Sequence, residues 1–135
     1  MSAGYSGTPL PKKLGIREGT RLTLLGPPSD FEKTLGTMPG GVTIRSRTVS
    51  EADVIVLFVT SFTKLKSVFA QAMKVMPEQG GMLWVAWPKK SSGVASDLDE
   101  NIIRGHGLSL GVVDTKVCAI DETWSGLRFS RRRAK

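Results

Sequence analysis

Cysteine and histidine are almost missing from this chain: Cys118 and His106 are the single examples of each. One cysteine excludes an internal disulfide and a multi-cysteine metal site, and with one histidine beside it a zinc centre built on these ligands has no donor set. No metal is expected. Long apolar runs are missing too. Nothing approaches the roughly 20 residues that cross a bilayer, and MSAGYSGTPLPKK lacks the apolar core of a secretory signal, so a cytosolic location away from membranes is expected. Glycine-rich phosphate loops are a third absence, since no segment matches G-x-x-x-x-G-K-[ST]. The turn after the first predicted strand reads Gly26-Pro27-Pro28-Ser29-Asp30-Phe31. It keeps only the first glycine of G-x-G-x-x-G. Two prolines remove N–H donors, and Asp30 and Glu32 place negative charge where a pyrophosphate would sit. No serine stands in G-x-S-x-G, and the carboxylates are too scattered to mark a catalytic pair. No catalytic residue and no cofactor follow from these patterns.

What is present is an ordinary globular composition: 135 residues, 40% hydrophobic and 23% charged, enough for one domain with a real core. The net charge of +7 is concentrated rather than general. RFSRRRAK at the end supplies Arg128, Arg131, Arg132, Arg133 and Lys135 with no acid. These five form a candidate basic surface, a tail for phosphate backbones or an acidic partner, or simply a solvated terminus.

Residues 1–13 are rich in Gly, Ser, Thr and Pro and read as a flexible arm, with Tyr5 and Leu10 able to pin it; a single domain over 14–130 and a basic tail over 131–135 complete the division. Arg21 to Leu25 is a strand. Ser29 as N-cap with Glu32 three residues on predicts a short helix with Phe31 and Leu35 inward. Val42 to Arg47 alternates as a strand near an edge. Ala52 to Thr60 carries β-branched residues on both faces and predicts a central parallel strand. Ser61 caps the next helix, where Phe62, Leu65, Phe69, Ala72 and Met76 share one stripe. Met82 to Trp87 is a second doubly buried strand, ended by Pro88. Trp84 and Trp87 fall on its opposite faces, so at least one belongs to the core. Ser96 caps a helix from Asp97 to about Arg104, with Leu98 and Ile102 inward and Gly105 and Gly107 closing it. GVVDTKVCAI and WSGLRFS, joined by a short polar turn, form an antiparallel hairpin. The first and third strands are expected at the centre. The fold class is α/β: a three-layer sandwich around a mostly parallel, Rossmann-like sheet.

Candidate site residues follow from this layout. Lys89, Lys90, Ser91, Ser92 and Gly93 lie beyond the carboxyl end of the Met82 strand, where open α/β sheets bind ligands, and lysines, hydroxyls and a glycine suit a phosphate or carboxylate. Trp124, Ser125 and Gly126 are taken as their neighbours. His106, between two glycines at a helix end, reads as a cap rather than a base. Cys118 reads as a small buried hydrophobe.

The stretches SGTPLPKKLGI, ADVIVLFVT, LWVAWPKKSSGVASDL and GVVDTKVCAIDETWSGLRF together resemble a bacterial family, frequent in actinobacteria, designated domain of unknown function 3052. The resemblance spans nearly the whole domain, and WPKK and ETWSGLRF are its most distinctive parts. It implies a shortened methyltransferase-type sheet with a terminal hairpin and carries over no catalytic residue. The turn that approaches S-adenosylmethionine in such folds is replaced by Gly26-Pro27-Pro28, and Arg45, Ser46 and Arg47 stand where an acid is expected.

Three functional expectations result. The first is a non-catalytic binding or regulatory module acting on an unknown protein or small anion through the Lys89–Gly93 turn, the Trp124–Gly126 segment and the tail. The second is a small-anion binding protein or enzyme using Lys89 or Lys90. The third is non-specific nucleic-acid binding through the tail.

Overall fold

The β-branched run at the middle of the chain sets the architecture. In the structure, a computed structural model that describes residues 8–131, Val54–Phe58 (β3) is buried at all five positions, as its two-sided apolar pattern requires. Tyr5 and most of the N-terminal arm lie outside the described residues, as do Arg132, Arg133 and Lys135. Beside β3 runs Met82–Pro88 (β4), and these two are the inner pair of a six-stranded sheet, so the third strand is central as expected while the fourth, not the first, is its partner there. Arg21–Leu25 (β1) pairs with β3 on its other side, and the short, exposed Thr43–Arg45 (β2) forms one edge. These four strands are parallel. Val112–Ala119 (β5) and Trp124–Arg131 (β6) form the antiparallel hairpin, giving the order β2-β1-β3-β4-β6-β5. The three-layer α/β architecture expected from the sequence is therefore observed.

Two apolar layers sandwich the sheet. On one face Leu65, Phe69 and Ala72 of Phe62–Lys74 (α3) and Ile103 of Glu100–Ser109 (α4) pack on Ile55, Leu57, Leu83, Val85, Trp87, Leu127 and Phe129. On the other, Leu14 of Leu10–Leu14 (α1) and Phe31 and Leu35 of Phe31–Leu35 (α2) cover Leu22, Leu24, Val54, Val56, Phe58 and Trp84. Both tryptophans of β4 are thus core. Trp84 is fully enclosed, and its indole N–H donates to the Leu14 carbonyl at 3.0 Å, as a buried indole needs a partner.

Several local expectations are corrected. Residues 10–13 are not part of an arm: Pro11 suits the first helical turn, and Gly15, at φ +85, closes α1 in the left-handed conformation. Asp30, not Ser29, is the N-cap of α2, and no side chain caps it. The helix after the Lys89 turn starts later than Asp97. Asp99 caps it, its carboxylate accepting from the Ile102 N–H at 2.8 Å, while Ser96 accepts from Leu98 in a tight turn of its own. The shift rotates the helix by enough that Ile103 is buried and Ile102 is 40% exposed. Gly107 is interior to α4, where a Cβ would collide with the ring of Phe129.

Candidate functional site

The turn after β4 and the start of β6 do come together. Pro88 pairs with Trp124, Trp87 with Ser125 and Ala86 with Gly126, and the Lys89 N–H donates to the Thr123 carbonyl at 2.8 Å. Most of these groups are spent on holding the backbone. Ser92 donates to the Lys89 carbonyl at 2.6 Å and accepts from Val94, and Gly93, at φ +78, ends the short 3₁₀ turn Lys90–Ser92. Lys90 and Ser91 point to solvent. Gly126 is a packing position, with Ile120 and Trp84 at the limit of what a Cβ would tolerate. Asp97 ties the following loop to the next layer by accepting from the Phe62 N–H at 2.8 Å, so it caps α3 across 35 residues.

The described part of the basic surface is structural as well. Arg128 lies in β6, its guanidinium 5.9 Å from the Trp84 ring and bonded to Thr115 at 2.8 Å. Arg131, expected to open the tail, is the last residue of β6 and donates to the carbonyls of Met73, Met76 and Pro77 at 2.8, 3.0 and 3.0 Å. It closes the C-terminal end of α3, where the final carbonyls have no partner within the helix.

A cleft opens at a different corner of the same end of the sheet. Its volume is about 910 Å³, and three segments distant in sequence line it: Thr8, Pro9, Leu10 and Lys13 from the start of the described chain and α1; Lys33 to Thr37 from α2 and beyond; and Ile120 to Thr123 from the β5–β6 turn. The turn is rigid for a legible reason. One oxygen of Asp121 accepts from both Thr123 and Trp124 at 2.8 Å, and the Ile120 N–H returns to the Trp124 carbonyl. Lys13 bridges α1 to β5 through the Ala119 carbonyl at 3.3 Å. Threonine hydroxyls, two lysines, Asp121 and Glu122 surround a floor of Leu10, Leu35 and Ile120, a few polar groups over an apolar base.

Elsewhere, His106 is wedged edge-on against Phe62 and Phe69, and its Nε2 has no partner among the described residues. Burial, and secondarily Lys66, lower its pKa below the usual histidine value. It is a packing group within α4 rather than a cap. Burial raises the Cys118 thiol above its ordinary range, with Lys13, Lys116 and Arg128 opposing, so the thiolate is disfavoured. Among the described residues no group of three or more metal-ligating side chains converges.

No protein-family model matches the chain, and no curated protein is similar to it. Solved structures are similar. The chain covers 87% of itself and 85% of a SAM-dependent methyltransferase from Aquifex aeolicus, at TM-score 0.57 and 14% identity. Aeropyrum pernix fibrillarin with natively bound S-adenosyl-L-methionine aligns over 94% of this chain and 70% of its own, at TM-score 0.55 and 14% identity. TrmN from Thermus thermophilus aligns over 91% of this chain at TM-score 0.56 and 13% identity, and the chain spans about half, 47%, of that protein. The fold is methyltransferase-like.

That finding corrects the functional expectations drawn from the sequence. A non-catalytic module working through the Lys89 turn and a basic tail, an anion site on Lys89 or Lys90, and non-specific nucleic-acid binding give way to a sheet shared with S-adenosylmethionine-dependent enzymes. At these identities the likeness concerns the fold. Whether the residues suit the cofactor is a separate matter, and at the carboxyl ends of β1 and β3, where the sheet's connections diverge, they do not. Gly26, at φ +67, lies against the end of β3, so that a Cβ there would be 3.3 Å from the Phe58 carbonyl. Pro27 and Pro28 withhold donors, and the end of β2 offers Arg45, exposed, in place of an acid for ribose hydroxyls.

Proposed function

We propose that this chain is a methyltransferase-like domain that takes a small polar molecule into the cleft between α1, α2 and the β5–β6 turn. The observation that carries the reading is the cleft itself: about 910 Å³ at the carboxyl-end corner of the sheet, with hydroxyls and both signs of charge above Leu10, Leu35 and Ile120. Loops at this end of an open α/β sheet are where such folds place their ligands. The mix of charges favours a molecule with hydroxyls or with both a cationic and an anionic group over a purely anionic one. Membership of the domain of unknown function 3052 family and a cytosolic location belong to the same proposal. In support of the second, no helix among the described residues is long and apolar enough to cross a membrane.

An amide-resolved NMR titration tests the reading. Sugars, amino acids and sugar phosphates are added singly to labelled protein. The expected result is saturable movement of the Thr34, Gly36, Asp121 and Thr123 signals by at least one compound, weakened by Thr123→Val. Saturable shifts confined to the Lys89–Gly93 turn, or no saturable shift at all, would overturn it.

A further inference from the structure

Three aromatic rings meet where an open α/β sheet leaves room for a ligand. Phe31 is the first residue of α2, Phe58 the last of β3 and Trp124 the first of β6. Phe31 and Phe58 meet edge to face with centroids 4.8 Å apart, and Phe58 and Trp124 do the same at 5.1 Å. Only 1% of Phe31 and 7% of Phe58 remain exposed. The backbone closes the same spot, because the Gly26 loop rests on the Phe58 carbonyl. Both the floor and the side of the crevice between β1 and β3 are therefore filled by the chain itself.

We propose that Phe31, Phe58 and Trp124 form a built-in plug of this crevice, and that the chain does not seat S-adenosylmethionine there. Volume and hydrogen bonding both stand against the cofactor at this place. A close-packed aromatic cluster leaves no gap for an added molecule, and opening it exposes two buried phenyl rings to water. The displaced loop would then present Pro27 and Pro28, which have no N–H to offer the methionine carboxylate or the ribose. The plug is independent of the corner cleft, so ligand binding there and closure of the crevice stand or fall separately.

Thermal unfolding of the full chain with S-adenosylmethionine, and separately with toluene, tests the plug. A site with Kd near ~10 µM, given about 1 mM ligand, would raise Tm by several degrees. For the natural chain the expected result is no saturable shift with S-adenosylmethionine and none with toluene. Phe58→Ala removes the middle ring and leaves an apolar hollow, so toluene is expected to raise the Tm of this variant by a few degrees. Should Phe58→Ala not fold, Trp124→Ala serves the same purpose from the half-buried end of the cluster. A saturable S-adenosylmethionine shift that Thr123→Val, which weakens binding in the corner cleft, leaves undiminished would overturn the proposal, as would a toluene shift equal in natural chain and Phe58→Ala, since either means that the crevice is open.

Discussion

Replacing Arg131 by alanine is expected to destabilise the fold by about 2 kcal/mol, a large effect for a residue near the end of a basic run. The guanidinium donates to three carbonyls, those of Met73, Met76 and Pro77, at 2.8 to 3.0 Å. Hydrogen bonds from a charged donor contribute about 1.5–3 kcal/mol each when well buried, but this side chain is half-buried, and solvent takes over part of the work once it is gone. The cation also faces the negative end of α3, worth about 0.3–1 kcal/mol. Together these give roughly 2 kcal/mol, or a drop in Tm of about 6–10 °C for a domain of this size. Arg131→Lys should recover less than half, because one ammonium cannot reach three divergent carbonyls as a planar fork does. Arg17→Ala, at an exposed arginine whose side chain has no hydrogen bond among the described residues, is the control and should stay within about 0.5 kcal/mol. Urea unfolding followed by tryptophan fluorescence measures all three, with m unchanged if only the native contact is lost. If Arg131→Ala unfolds at the same urea concentration as the Arg17→Ala control, the closing of α3 by β6 contributes nothing and the reasoning fails.

Other substitutions test other joints. Gly107→Ala improves helix propensity by up to about 1 kcal/mol yet should lower Tm, since its methyl overlaps the Phe129 ring and overpacking costs about 1–3 kcal/mol; Phe129→Leu in the same chain should restore part of the loss. Trp84→Phe leaves the Leu14 carbonyl without its donor and is expected to cost about 1–3 kcal/mol, visible as faster amide exchange in α1. His106 has a folded pKa below its unfolded value of about 6.5, so the unfolded state binds more protons. Stability should therefore fall as pH drops through about 6.5 and level off below the folded pKa; His106→Gln should flatten this slope in urea midpoints compared at pH 8 and pH 5. Asp97→Ala removes a long-range cap from α3 and should cost about 1 kcal/mol, while Asp97→Asn keeps an acceptor and recovers most of it.

The elements most legible in the sequence were those whose pattern answers to one neighbour only. Val54–Phe58 and Met82–Pro88 declared themselves because a strand buried on both faces needs apolar residues throughout, and α3 because its stripe repeats at three and four. Caps were harder. Ser29, Asp30, Ser96 and Asp99 are all plausible N-caps, and the choice falls to whichever lets a hydrophobic residue reach the sheet, Phe31 in one case and Ile103 in the other. The corner cleft left no trace in any single stretch, since Lys13, Lys33 and Thr123 meet only after two crossings of the sheet. Charge misled for a related reason: a run of arginines looks alike whether it faces solvent or, as Arg131 does, the end of a helix 55 residues upstream in sequence. The plug was hidden because Phe31 read as the inward face of a short helix, Phe58 as one residue of a buried strand and Trp124 as part of a binding segment, and no pattern along the chain brings the three rings together.

Among the described strands, the last one made is not the last in space. Because β6 lies between β4 and β5, the hairpin cannot join the sheet until residues 124–131 have left the ribosome. Up to that moment β4 presents an open, wholly apolar edge, and β5 has nothing to pair with. A nascent chain stalled before Trp124 should therefore hold a half-built sheet that sticks to other chains, and the vulnerable interval for misassembly lasts until β6 emerges. Pulse proteolysis of ribosome-bound chains of increasing length would show protection arriving in one step as Arg131 emerges, with the whole parallel sheet waiting on eight residues.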